Sequence, residues 1–64
     1  SVVDRIRQIR VNEARLLLAG TNDSVTIIAE RCGFSSYNYM GRVFHEETGM
    51  TPSAYRAQFR ARRI

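Results

Sequence analysis

Ser24-Val25-Thr26-Ile27-Ile28-Ala29-Glu30-Arg31-Cys32-Gly33-Phe34-Ser35-Ser36-Tyr37-Asn38-Tyr39-Met40-Gly41-Arg42-Val43-Phe44 decides the fold. Val25, Ile28, Ala29 and Cys32 recur at the spacing of one helical face. Ser24 stands before them as an N-cap, because its hydroxyl can accept a backbone N–H of the first turn. Gly33 ends the segment, since glycine enters the left-handed conformation of a helix stop at little cost. After only Gly33-Phe34-Ser35 a second periodic segment begins, with Tyr39, Met40, Val43 and Phe44 on its core face. The predicted helices are Val25–Cys32 and Ser36–Thr48, the latter capped by Ser35 or Ser36 and stopped by Gly49. Two short helices joined by a tight glycine-containing link form a helix-turn-helix. Phe34 is placed to fill the wedge between them, and Ala29 is small enough to let them approach.

Upstream, a helix is expected from about Val3 to Ala19. Val2, Ile6, Ile9, Leu16 and Leu17 recur at helical spacing, whereas Val11 and Leu18 lie on another face. A helix apolar on more than one face often packs between two neighbours. Gly20 is the expected stop, followed by the loop Thr21-Asn22-Asp23. Downstream, Thr51 is a plausible N-cap, with Pro52 at the first helical position of a last helix running to about Arg62. That helix packs Tyr55 and Phe59 and ends in Arg60, Arg62 and Arg63, cations that suit the negative end of the helix dipole. The expected architecture is therefore all-α with four helices, a homeodomain-like helix-turn-helix module. It divides into 1–20 as a linking helix, 24–49 as the helix-turn-helix, and 52–63 as a C-terminal helix.

Composition narrows the functions. Ten basic residues, all arginine, stand against six acidic ones, giving a net charge of +4. Such a balance points toward nucleic acid or an acidic surface, beside the plainer alternative of a solvated basic exterior. A chain of 64 residues holds one small core and leaves no room for a buried catalytic cleft. His45, Cys32 and the Glu46-Glu47 pair offer no arrangement of nucleophile, base and orienting group, so an enzyme is not expected. One cysteine, Cys32, makes no disulfide, and with the distant His45 it supplies no zinc site, so neither metal nor cofactor is expected. No apolar run approaches the roughly 18 residues of a membrane span. No signal peptide begins at Ser1 either, so no membrane partner and a cytoplasmic location are expected. The start at Ser1, without an initiator Met, fits a piece of a longer chain.

A more specific signal comes from several spaced elements at once: Arg10-Val11-x-x-Ala14-x-x-Leu17-Leu18; Ile28-Ala29-x-x-x-Gly33-Phe34-Ser35-Ser36-x-x-Tyr39; Arg42-x-Phe44; Gly49-Met50-Thr51-Pro52; and Tyr55-Arg56. Over about residues 5–56 the sequence resembles the AraC/XylS family of transcription regulators. That family's DNA-binding domain carries two helix-turn-helix units joined by a long central helix. The chain resembles the central helix, the second unit and the terminal helix, with the first unit absent. The resemblance implies double-stranded DNA as the partner and a recognition helix at about Ser36–Thr48 in the major groove. It also implies the rest of the regulator as partners, namely the first helix-turn-helix and a sensor or dimerisation domain. RNA polymerase is a further partner implied by the family.

By the same resemblance, Ser35, Ser36, Tyr37, Asn38, Gly41, Arg42 and His45 occupy DNA-facing positions. Asn38 suits adenine N6/N7, and Arg42 suits guanine O6/N7 or a phosphate. Tyr37 suits a thymine methyl or a phosphate, and His45 a backbone contact that strengthens on protonation. Ser35 or Ser36, with the free N–H groups of the helix start, suits a phosphate. Arg56 and the terminal arginines are weaker phosphate candidates. Plainer roles stand beside these: Arg42 paired with Glu46 one turn on, Asn38 as a capping aid, and Tyr37 as cover for apolar surface. The chain departs from the family pattern at Met40, Gly41 and His45, and Glu46-Glu47 repel phosphate, which together imply a unit that binds weakly. The alternatives from other classes are a protein-interaction module and an enzyme fused to this module.

Overall fold

A computed structural model describes residues 1–60. Four helices follow in order: α1 (Val2–Gly20), α2 (Val25–Arg31), α3 (Tyr37–Thr48) and α4 (Pro52–Phe59). No strand occurs among the described residues. Each helix begins with a hydroxyl cap, which satisfies a first-turn N–H that has no partner inside the helix. Ser24 Oγ accepts from Ile27 N at 3.1 Å, Ser36 Oγ from Tyr39 N at 3.0 Å, and Thr51 Oγ1 from Ala54 N at 3.1 Å. Ser1 does the same for α1, accepting from Asp4 N at 3.3 Å.

The stops differ from expectation at three helices, α1, α2 and α4. Gly20 stays helical, and α1 ends at the extended Thr21, whose N–H bonds to Leu17 O at 3.0 Å. A distant arginine explains this end: Arg56 donates from Nε to Leu18 O at 3.0 Å and from Nη2 to Thr21 O at 3.3 Å. Leu17 O, Leu18 O and Thr21 O are thus satisfied without a left-handed glycine. α2 ends one residue short of Cys32, which is its C-cap. There Phe34 N bonds to Ala29 O at 3.0 Å and Gly33 N to Glu30 O at 3.2 Å. That pair of bonds is the Schellman motif, and it requires the φ of +84° that Gly33 supplies. A Cβ there would also lie 3.3 Å from Nε of the Arg10 side chain, a tight contact that a small shift of that side chain relieves. α3 starts at Tyr37, so Ser36 is its cap and not its first residue. α4 is helical to Phe59 with Arg60 as cap, and the part of the expected last helix beyond it, with Arg62 and Arg63, lies outside the described residues.

The core gathers Val11, Ala14 and Leu18 of α1, Ile28 and Ala29 of α2, and Met40, Val43 and Phe44 of α3, with Cys32 and Phe34 from the turn. Phe34 is buried in the wedge, edge-on to Tyr39 at 6.2 Å. α4 closes the far side through Tyr55, which packs edge-on against Phe44 at 5.4 Å and beside Phe59 at 4.6 Å. The core face of α1 is Val11 and Leu18, the pair expected on its other side, together with Ala14. Val2, Ile6, Ile9 and Leu16 are exposed, and only Leu17 of that set packs partly against the core. Ala14 has room for close approach, whereas the larger residues have no helix opposite them among the described residues.

Candidate nucleic-acid interface

α3 presents two faces with different chemistry. Met40, Val43 and Phe44 are fully buried and lock the helix against α1, α2 and α4. On the other side Tyr37, Asn38, Arg42 and His45 are exposed, with Gly41 partly covered between them. Positions 37, 38, 41, 42 and 45 fall on adjacent turns of one helical face, so these side chains share one surface. Ser35 is exposed in the turn just before the helix, and Ser36 is exposed at its cap. The seven expected positions therefore run along one side of α3, from the turn before it to His45 in its last turn.

The conformation around them is tightly held. The Schellman turn at Gly33 fixes where α3 starts, and Ser36 fixes how its first turn is capped. The first intrahelical bond of α3 is Met40 N to Ser36 O at 3.1 Å, so the N–H groups of Tyr37 and Asn38 precede it. Ser36 Oγ is already an acceptor for Tyr39 N, and its own hydrogen is left to donate. Asn38 is not the capping group; Ser36 holds that role. At Gly41 no atom lies within 4 Å of the place a Cβ would take, so that position is an open gap in the surface.

The charges sort into used and unused. Arg31 pairs with Asp23 at 2.8 Å. Arg56 donates Nε and Nη2 to the carbonyls of Leu18 and Thr21, so part of its guanidinium is already engaged within the fold. Arg60 donates to the side-chain oxygen of Asn22. The expected pair of Arg42 with Glu46 does not form: Glu46 Oε2 accepts from Arg7 Nη2 of α1 at 3.1 Å. Arg42 enters none of the ion pairs or hydrogen bonds found among the described residues. Arg7 is the residue that inspection of the sequence missed, because a partner 39 positions away leaves no local periodicity. Cys32 is buried, and burial first and the Glu13 charge second push its thiol pKa above the usual range. Among the described residues no group of His, Cys, Asp and Glu is placed to hold a metal ion, and no helix is long and apolar enough to cross a membrane.

A capped, rigidly seated helix with a polar outer face and an unpaired arginine is the form of a helix-turn-helix DNA-binding module. Residues 1–58 match the family described as "Helix-turn-helix domain". The chain belongs to this family, in its AraC-type branch of transcription regulators, which bind DNA sequence-specifically. It is 46% identical over 59 residues to the HTH-type transcriptional activator RhaR of Yersinia pseudotuberculosis serotype O:1b (strain IP 31758), covering 92% of this chain and 20% of that protein. The RhaR protein of Yersinia pestis bv. Antiqua (strain Angola) gives the same figures, 46% over 59 residues, 92% and 20%. That of Cronobacter sakazakii (strain ATCC BAA-894) is 43% identical over 56 residues, 88% of this chain and 20% of its own length. The chain thus spans about a fifth of the length of the curated relatives it matches. No solved structure matches it.

Proposed function

We propose that α3 is the recognition helix and enters the major groove of double-stranded DNA with its outer face. Arg42 reads guanine O6/N7 or holds a phosphate, and Asn38 reads adenine N6/N7. Tyr37 contacts a thymine methyl or a phosphate, and His45 contacts the backbone. Ser35 and Ser36, together with the N–H groups of Tyr37 and Asn38, hold a phosphate at the positive end of the helix. Gly41 leaves its position without a base-reading side chain. The observation that carries this is Arg42, exposed on α3 and without an ion-pair or hydrogen-bond partner among the described residues.

A single unit of this kind engages roughly three or four phosphates, giving a log–log salt slope of about −3. Two-dimensional amide spectra recorded with a mixed-sequence duplex, at low and then moderate salt, test it. Shifts concentrated in Tyr37 to His45 that fade as salt rises are the expected result. Unchanged spectra at low salt, from a chain shown to be folded, would overturn it.

The second surface concerns protein partners. The exposed apolar face of α1, with Val2 at 75% and Leu16 at 70% exposure, supports docking of the rest of a longer regulator, including a first helix-turn-helix and a sensor or dimerisation domain. A contact with RNA polymerase belongs to the same proposal, as does a cytoplasmic, non-enzymatic regulator. Association that persists at high salt and is indifferent to Arg42→Ala would favour an interaction module over a DNA reader.

A further inference from the structure

Glu46 stands one turn beyond Arg42 on α3, the spacing at which an acid and an arginine on a helix normally meet. Its carboxylate is turned the other way, to Arg7 Nη2 at 3.1 Å on α1. Arg7 is the more enclosed partner, with a side chain 31% exposed against 51% for Glu46. Its Nε is buried and has no hydrogen-bond partner, so packing against the protein, not a second acceptor, aims the guanidinium. The pair therefore draws the acid toward α1, at the edge of the recognition surface.

We propose that Arg7 is a positioning residue for DNA binding: by holding Glu46 it leaves Arg42 available and keeps an anion from facing the phosphates. This rests on the assignment of Arg42 to the DNA interface. Without Arg7, Glu46 has Arg42 as its nearest helical partner, and the two would neutralise each other where the DNA is to bind. Arg7 itself need not touch DNA.

A double-mutant cycle separates this from a simple loss of positive charge. The probe is a fluorescent mixed-sequence duplex at low salt, titrated with the whole chain and its Arg7→Gln, Glu46→Gln and doubly substituted forms, each checked by thermal melting. Arg7→Gln should weaken binding roughly threefold or more, about the weight of one phosphate contact. In the Glu46→Gln background the same substitution should change the affinity by less than about 1.5-fold, because there is no acid left to release. Arg7→Lys, which keeps a cation near Glu46, should recover most of the affinity. The Arg42 Nε–Hε resonance should shift in Arg7→Gln and stay in place in Glu46→Gln, a change that a purely structural Arg7 would not produce. Equal losses from Arg7→Gln in both backgrounds would overturn the proposal and make Arg7 a direct contact. Should Arg7→Gln fail to fold, Glu46→Gln alone decides: a displaced Arg42 resonance in that variant would mean that Glu46 holds Arg42 after all. Arg42→Ala binding as tightly as the parent is a different failure, since it removes the underlying DNA assignment.

Discussion

The outer faces of α1 and α3 are both uncovered among the described residues, yet their chemistry is opposite. On α1 the uncovered side chains are Val2, Ile6, Ile9 and Leu16; on α3 they are Tyr37, Asn38, Arg42 and His45. Water solvates the second set at no great cost and the first only at a loss. An open helix face therefore does not by itself mark a nucleic-acid surface. The polar and cationic content of the α3 face suits phosphates and base edges, and the aliphatic content of the α1 face suits another protein.

The largest effect should come from the scaffold that serves both faces. Phe44 is fully buried between α3 and Tyr55. Phe44→Ala should cost about 3–5 kcal/mol, enough in a domain this small to abolish a cooperative melt and both faces with it. Next comes Arg42→Ala, which should weaken DNA binding by about 1–3 kcal/mol. Its melting temperature should stay that of the parent, because Arg42 makes no ion pair or side-chain hydrogen bond among the described residues; a lowered one would break the comparison. Gly41→Ala should raise stability by about 1 kcal/mol, since helix propensity favours alanine and no atom obstructs the added methyl. Urea denaturation checks this, and a loss of stability would mean that α3 is packed more closely there than described.

Smaller still, Ile6→Ser with Leu16→Ser should change the stability of the chain by no more than about 0.5 kcal/mol each, as ordinary surface substitutions do. Docking to the remainder of a regulator should suffer much more, which sharpens the division between the two faces. Cys32 probes the core without any substitution. A thiol whose pKa is raised is mostly protonated near neutrality, so alkylation of the folded chain should be slow and should accelerate on unfolding. The linkage has a definite sign: the folded chain holds its proton more tightly than the unfolded one. Stability from this group is therefore present below the unfolded thiol's pKa and lost as pH rises through the folded value.

The helix-turn-helix was plain in the sequence because its determinants are local. Ser24, Gly33, Ser36, Gly49 and Thr51-Pro52 act within a few residues of themselves, and each does in the structure what its chemistry predicts. The outward positions of α3 were legible for the same reason, through a single helical period. Features set by distant partners were not. Periodicity shows that α1 has two apolar faces but not which one meets α2 and α3, and the larger residues proved to be on the open side. Spacing alone pairs Glu46 with Arg42, whereas the fold brings Arg7 closer. Arg56 looked like one more surface cation until its carbonyl partners were seen.

The bonds from Arg56 to Leu18 O and Thr21 O carry a consequence for how the chain acquires its shape. Thr21 stops α1 locally through Leu17 O, but Leu18 O waits for a residue that emerges 38 positions later, so the cap is complete only once α4 has docked. A peptide ending before α4 should fray at residues 18–21, and Arg56→Ala should show the same fraying as fast amide exchange confined to that stretch. The last helix thus serves the first one as a late-arriving clasp, and the bundle closes when α4 docks on α1.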